Sequence, residues 1–167
     1  METLAIWKNE CSSAATILQR RMSHLLAQFA AKSSWSELIV EVVKFAQTSN
    51  TLSAHLAGLR LIEILSDYCA DDVASHADLL RNYFSQCFSF AENIPDYQQS
   101  AIFRVAAAKS TAACIVSFDN DSIRDSFKPA LPSIVSVLRF ILSSGLETHE
   151  SDSAIIIEYL CTIGCKK

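Results

Sequence analysis

Apolar residues recur along the chain three and four positions apart, the spacing of one face of an α-helix. The pattern predicts about seven or eight helices in succession. A short one covers Glu2 to Lys8. A long one runs from about Ser12 to Lys32, with Ile17, Met22, Leu25, Leu26 and Phe29 on its apolar side. Ser34 and Glu37 have the spacing of a capping box, in which the serine accepts a free N–H and the glutamate reaches back. They predict a helix from Trp35 to about Gln47, with Leu38, Ile39, Val42, Val43 and Phe45 inward. The next spans about Leu52 to Cys69. Ser53, Arg60, Glu63 and Asp67 fall on one narrow stripe of it, and almost every other position is apolar. A helix apolar nearly all round is buried by neighbours on several sides.

Ser75 and Asp78 predict a second box, opening a helix to about Ala91 with Leu79, Leu80, Tyr83, Phe84 and Phe88 inward. After Pro95-Asp96 a helix from Tyr97 to about Ser117 is rich in alanine. Small side chains let helix axes approach closely, so this helix belongs in the middle of a stack. Asp119-Asn120-Asp121 reads as a polar turn before a short helix near Ser122 to Phe127. Pro132 suits the first turn of a helix that ends at about Ser144, with Gly145 closing it. The last helix, about Ser151 to Gly164, carries Ile155, Ile156, Ile157, Leu160 and Ile163.

Two helix characters alternate. Ordinary amphipathic helices (35–47, 76–91, 131–144) are followed by more apolar or small-residue ones with an internal arginine, Arg60 or Arg104. The first kind begins about 41 residues apart, from Leu38 to Leu79, and then about 55 apart across the Asp119–Lys128 insertion. Two-helix repeats of ~40–47 residues have the HEAT/armadillo period. The expected fold is therefore all-α: a right-handed superhelical solenoid of HEAT-type helix pairs, with about four repeats near 2–33, 34–70, 75–118 and 121–165. Each repeat buries its face only against neighbours, and a complete array has polar caps. The apolar last helix carries no such cap. The segment is expected to be part of a larger solenoid and prone to artefactual dimerisation through exposed ends.

Composition narrows the function classes. Glycine and proline occur three times each, where average usage gives roughly 12 and 8. This disfavours β-sandwiches, propellers and glycine-rich phosphate cradles. Fourteen basic and 18 acidic residues give a net charge of -4, and the basic residues are scattered, so nucleic acid is not an expected partner. Mean hydropathy is +0.23. The longest candidate membrane stretch, Ile134 to Leu142, is interrupted by Arg139 and is far short of the roughly 20 residues a span needs. The N-terminus lacks a signal-peptide pattern, and the expected location is intracellular. Six widely spaced cysteines (11, 69, 87, 114, 161 and 165) read as buried thiols.

The residues offer little chemistry. His149, Cys161 and Cys165 form the best zinc cluster but lack a fourth ligand and a C-x-x-C pair. Cys114 has no histidine near it in sequence, and Cys69 with His76 lacks an orienting third group. Asp71-Asp72 and Asp119-Asn120-Asp121 lack the glycine and glutamate of a calcium loop and read as helix caps. No catalytic residue, cofactor or metal is expected.

Three stretches carry a resemblance. Trp35-Ser36-Glu37-Leu38-Ile39 with Val43-Lys44-Phe45, then Ala57-Gly58-Leu59-Arg60-Leu61-Ile62-Glu63-Ile64-Leu65, is similar to the "tryptophan-proline-glutamate-leucine, leucine-arginine-glutamate-alanine-alanine-leucine" pattern of importin-β family HEAT repeats. Position 36 holds serine where that pattern has proline, and no aspartate stands shortly before Arg60. Phe103 to Ile115 resembles the inner helix of such a repeat. Phe127-Lys128-Pro129-Ala130-Leu131-Pro132 resembles the start of the next outer helix. Order and spacing look most like the N-terminal third of a karyopherin-β3-type importin. The resemblance implies a non-enzymatic nuclear transport receptor segment that shuttles between cytoplasm and nucleus. Its inner helices would line a concave surface for Ran-GTP and for protein cargo with basic signals. Its outer helices would hold phenylalanine-glycine nucleoporin repeats. Mapped here, the inner stripe would present Arg60, Glu63, Asp67, Arg104 and Thr111. A bare reading of the residues leaves two alternatives: an Arg60–Glu63 pair on the helix surface, and Arg104 tying neighbouring repeats together. A different HEAT scaffold, of the phosphatase or ubiquitin-ligase-regulator kind, would share the fold without those partners.

Overall fold

A helix leaves four N–H and four C=O groups unpaired at its ends, so its boundaries lie where other groups can take them over. The computed structural model describes residues 2–10, 16–144 and 150–165. Among them are ten α-helices, one 3-10 turn at Lys128–Ala130 and no strand. The helices are α1 (Glu2–Glu10), α2 (Thr16–Ser33), α3 (Leu38–Ser49), α4 (Leu52–Tyr68), α5 (Ala70–Ser75), α6 (Ala77–Glu92), α7 (Tyr97–Ser117), α8 (Asp121–Ser126), α9 (Leu131–Ser144) and α10 (Glu150–Cys165). Asn50, left-handed at φ 46°, closes α3, and the Thr51 side chain accepts from the Ala54 N–H to open α4. Asp96 does the same for α7 through the Gln99 N–H, at 2.7 Å. Asn120 caps α8 through the Ser122 and Ile123 N–H groups. Pro132 lies in the first turn of α9, as expected. Gly145 falls outside the described residues.

Neither expected capping box forms. Ser34 has φ 52°, and the Trp35 N–H bonds back to the Ala30 carbonyl. Ser34 therefore ends α2, and α3 begins later, at Leu38 behind an uncapping Glu37. The Ser75 hydroxyl donates to the Asp72 carbonyl at 2.7 Å, within the short helix α5, which the sequence pattern missed. His76, not Ser75, occupies the cap position of α6.

Helices α2, α4, α7 and α10 stack side by side in chain order, and α1, α3, α6 and α9 form a second layer, each on its partner. The inner helices run parallel. Side-chain bonds between successive inner helices join residues 41, 42, 48 and 43 apart: Arg60 to Gln19, Cys69 to Ala27, Ser66 to Cys114 and Lys109 to Asp152. This is the HEAT-type spacing, longer than the ~34 residues of a TPR unit. The fold is an all-α array of HEAT-type helix pairs.

The core is continuous through the stack. Leu59, Leu61 and Ile62 of α4 and Phe103, Ala107, Ala108 and Ala112 of α7 are fully buried. Each large side chain contributes about 1.5–3 kcal/mol by burial. Truncating Phe103 to alanine would cost about 3–5 kcal/mol. Trp7 of α1 is fully buried and donates to the Ser23 hydroxyl of α2 at 3.1 Å, which anchors the first pair. Gly58 marks close packing, as its place inside a helix suggested. A Cβ there would lie 3.1 Å from the Tyr83 hydroxyl and 3.4 Å from Ala46 Cβ.

Some expected inward residues face out. α2 turns Ser23, Leu26, Ala27 and Ala30 to the stack, which leaves Leu25 and Phe29 exposed on its opposite side. In α10, Ile156 is fully buried while Ile157 is exposed. Cys161 is exposed, whereas Cys69, Cys87 and Cys114 are buried. By length and composition α7 is apolar enough to cross a membrane, contrary to the sequence expectation. Its apolarity has another cause here: neighbours on several sides bury 67% of the qualifying window.

Candidate protein-binding face

The inner layer presents a polar stripe, and its side chains bond sideways between helices. Arg60 of α4 donates to the Gln19 amide oxygen of α2 at 3.1 Å. Glu63, one turn on, lies 3.6 Å from the Lys109 ammonium of α7. That ammonium also lies 3.0 Å from Asp152 of α10. The three side chains are 24%, 18% and 28% exposed, so the charges are held partly out of water. Three inner helices are thereby joined by one cation between two carboxylates. Arg60 and Glu63 bond to other helices rather than forming the surface pair their spacing allowed.

Burial pushes the Glu63 carboxyl above the usual carboxylate range, and the Lys109 charge pulls it back. Burial also raises Asp67, against the pull of His24 in α2. The His24 ring meets Tyr68 edge-on, with centroids 6.3 Å apart. Tyr159 of α10 faces the same acidic neighbourhood. Its phenol is pushed up to about 12, first by burial and then by Glu63 and Asp67. The stripe thus sets carboxylates of α4 and α10 around one lysine.

Two expected members of the stripe lie elsewhere. Thr111 is fully buried and donates to the Ala107 carbonyl at 2.7 Å. Arg104 turns to the outer layer: its guanidinium sits 5.4 Å from the Phe140 ring of α9, and its Nε donates to the Ser100 hydroxyl. It ties α7 to the next pair, the role its bare sequence context left open. The face α7 shows to the inner surface carries Ile102, Ala106 and Lys109 instead. Lys109, Asp152, Gln19 and His24 were missed in sequence. Lys109 stood inside a quoted motif, and its distance of five from Arg104 puts it on another side of the helix.

The buried thiols Cys69, Cys87 and Cys114 are held in the protonated form by burial. Burial pushes Cys114 up to about 12, and its sulfur bonds the Ser66 hydroxyl. Cys69 is likewise raised and points at the Ala27 carbonyl, while the His76 ring engages Ser75 and the Asp72 carbonyl. Of the suggested zinc cluster, His149 and the side chain of Cys165 lie outside the described residues. No group of three metal-ligating side chains occurs among the described ones.

Outside the stripe, grooves run between neighbouring second-layer helices. One of ≈ 450 Å³ lies between α6 and the start of α9, with Phe88 and Pro129 in its lining. A smaller one of ≈ 230 Å³ lies between α1 and α3 beside Phe45 and Lys8.

No curated protein and no solved structure matched this chain. A family profile described as IPO5-like, TPR repeats matches residues 14–162. Its description names TPR units, whereas the inner-helix spacing is that of HEAT-type pairs. With parallel inner helices, a paired second layer and a profile match over most of its length, the chain belongs to the IPO5-like repeat family and is an importin-β-type HEAT-like protein.

Proposed function

We propose that this chain is a segment of a nuclear transport receptor of karyopherin-β3 type, moving between cytoplasm and nucleus and acting without catalysis. The observation that carries the reading is the IPO5-like match over residues 14–162. The inner stripe supports it. Arg60, Glu63 and Asp67 lie together on α4, with Asp152 nearby on α10, and suit a protein cargo with basic signals and Ran-GTP. The grooves beside Phe88 and Phe45 suit phenylalanine-glycine nucleoporin repeats. Recognition of this kind works through many weak contacts on a deformable stack, since each pair contacts only its neighbours.

The test is retention of Ran, loaded with GTP or with GDP, on the immobilised chain. The expected result is preference for the GTP form, together with capture of a basic signal peptide that Asp67→Lys weakens. Asp67 is exposed, so that change leaves the fold intact. Equal retention of both Ran forms, with no capture of the basic peptide or of phenylalanine-glycine peptides, would sink the reading in favour of a general assembly scaffold.

A further inference from the structure

Lys109 stands on the inward face of α7, between the two inner helices that flank it. Its ammonium donates to Asp152 of α10 at 3.0 Å. It lies 3.6 Å from Glu63 of α4, beyond the roughly 3.2 Å reach of an N–H···O bond. Glu63 has therefore given up most of its water for a cation that stands off at that distance. A carboxylate offers about four acceptor positions. One ammonium, a compact charge on a flexible stem, leaves this pair of carboxylates short of donors. A guanidinium presents five N–H donors in a flat fork and can bond two acceptors at once. The α7 residues three before and four after Lys109 are Ala106 and Ala113, so the side chains at those positions do not pin the lysine stem. The group lies on the inward face of three consecutive helices, not on the faces through which one pair stacks on the next.

We propose that Lys109 is the resident occupant of a guanidinium site, and that an arginine of a bound partner displaces it from Glu63 and Asp152. The proposal rests on the reading of the inward face as the one that receives basic partners. The incoming guanidinium donates to both carboxylates, and the Lys109 ammonium swings out into water, where an exposed cation is well solvated. One cation replaces another between the same two acids, so neither carboxylate is left without a counter-charge. Lys109 thus acts as a competitor built into the chain. It holds the affinity for a partner below what the bare acid pair would give, and it keeps α4, α7 and α10 joined while no partner is bound. Arginine is favoured over lysine, because a second ammonium offers nothing that Lys109 does not already supply.

Fluorescence anisotropy of labelled octa-arginine and octa-lysine peptides, titrated with the intact chain at pH 7 and one fixed salt concentration, reads the outcome. Octa-arginine is expected to bind more tightly than octa-lysine. Lys109→Met should tighten octa-arginine about tenfold, although the same change destabilises the fold. Lys44→Met removes an exposed cation of α3 and corrects for the change in net charge; it should shift the affinity less than about twofold. Adding Glu63→Gln and Asp152→Asn to Lys109→Met should abolish the gain. Lys109→Arg keeps the charge and the fold, and should weaken octa-arginine about tenfold, because a guanidinium then already bonds both acids. Circular dichroism checks folding of each variant. A folded Lys109→Met protein that binds octa-arginine no more tightly than Lys44→Met would overturn the displacement. So would a Lys109→Arg protein that binds as tightly as the original, and this variant decides the matter where Lys109→Met fails to fold. Equal affinity of the original chain for the two peptides would overturn the assignment of a guanidinium. In these three cases the original chain still binds, and the basic-partner reading stands. Failure of both the original and Lys109→Met to bind either peptide would remove that reading, and the proposal with it.

Discussion

Replacing Lys109 by methionine keeps the aliphatic stem and removes the ammonium that stands 3.6 Å from Glu63 and 3.0 Å from Asp152. Two carboxylates, each less than a third exposed, then face each other's side of the stack without a cation. Deleting one partner of a fully buried ion pair costs about 3–5 kcal/mol, and an exposed pair is worth at most about 1 kcal/mol. These groups sit between the limits, so the expected loss is about 2 kcal/mol. With a urea dependence of about 1.5 kcal/mol per molar, the midpoint should fall by roughly 1.3 M. The pH dependence carries the sharper test. Burial holds the folded Glu63 carboxyl above its ordinary value, and losing Lys109 raises it further. A raised folded value means the native state holds the proton more tightly than the unfolded chain does. Its contribution is fully present below the ordinary carboxylate value of 4.5 and is lost as pH rises through the folded value. The gap between Lys109→Met and the original chain should therefore be small near pH 4.5 and complete at pH 7. Adding Glu63→Gln should recover part of it. Urea titrations at both pH values, at one dilute concentration, measure this. A gap below about 0.5 kcal/mol at pH 7, or one equally large at both pH values, would refute this account of the Gln19–Arg60 and Glu63–Lys109–Asp152 ladder across the inner helices.

Gly58→Ala should destabilise by about 1 kcal/mol despite better helix propensity, because its Cβ meets the buried Tyr83 hydroxyl at 3.1 Å. Tyr83→Phe in the same chain should recover most of that loss, and thermal melts of the double-mutant cycle check the coupling. His55 is buried against Tyr83, Phe90 and Phe103, and its imidazole is held below the ordinary range by burial. The unfolded chain then takes up its proton first as pH falls. Stability from this site is present above the ordinary value of 6.5 and is lost as pH falls through it toward the folded value. His55→Leu should flatten the melting temperature between about pH 7 and pH 5, and an unchanged slope would show that another group titrates there.

The sequence was informative where burial is one-sided or complete. α4 and α7 were legible as central helices, because a helix touched on several sides must be apolar or small all round. The same property hid the direction of α7. With alanine on every side, its periodicity gave no face, and Arg104 and Thr111 were assigned to the inner surface that Lys109 occupies. For α4 the narrow polar stripe fixed the direction, and Arg60, Glu63 and Asp67 do share one face. Capping signals failed for a different reason. A serine near a helix start is also a serine near the preceding helix end. Ser34 closes α2 with left-handed backbone, and Ser75 bonds back into α5, so neither was free to open the helix that followed. The ladder was out of reach because its members lie on four different helices. Each is an ordinary surface charge or amide in its own helix. What makes Gln19–Arg60 and Glu63–Lys109–Asp152 a unit is the stacking offset of one repeat, 41 residues for the first bond, 46 for the middle one and 43 for the last. That offset can be measured only once helix pairs are in contact, although it is the same period that the repeat pattern announced from the spacing of Leu38 and Leu79.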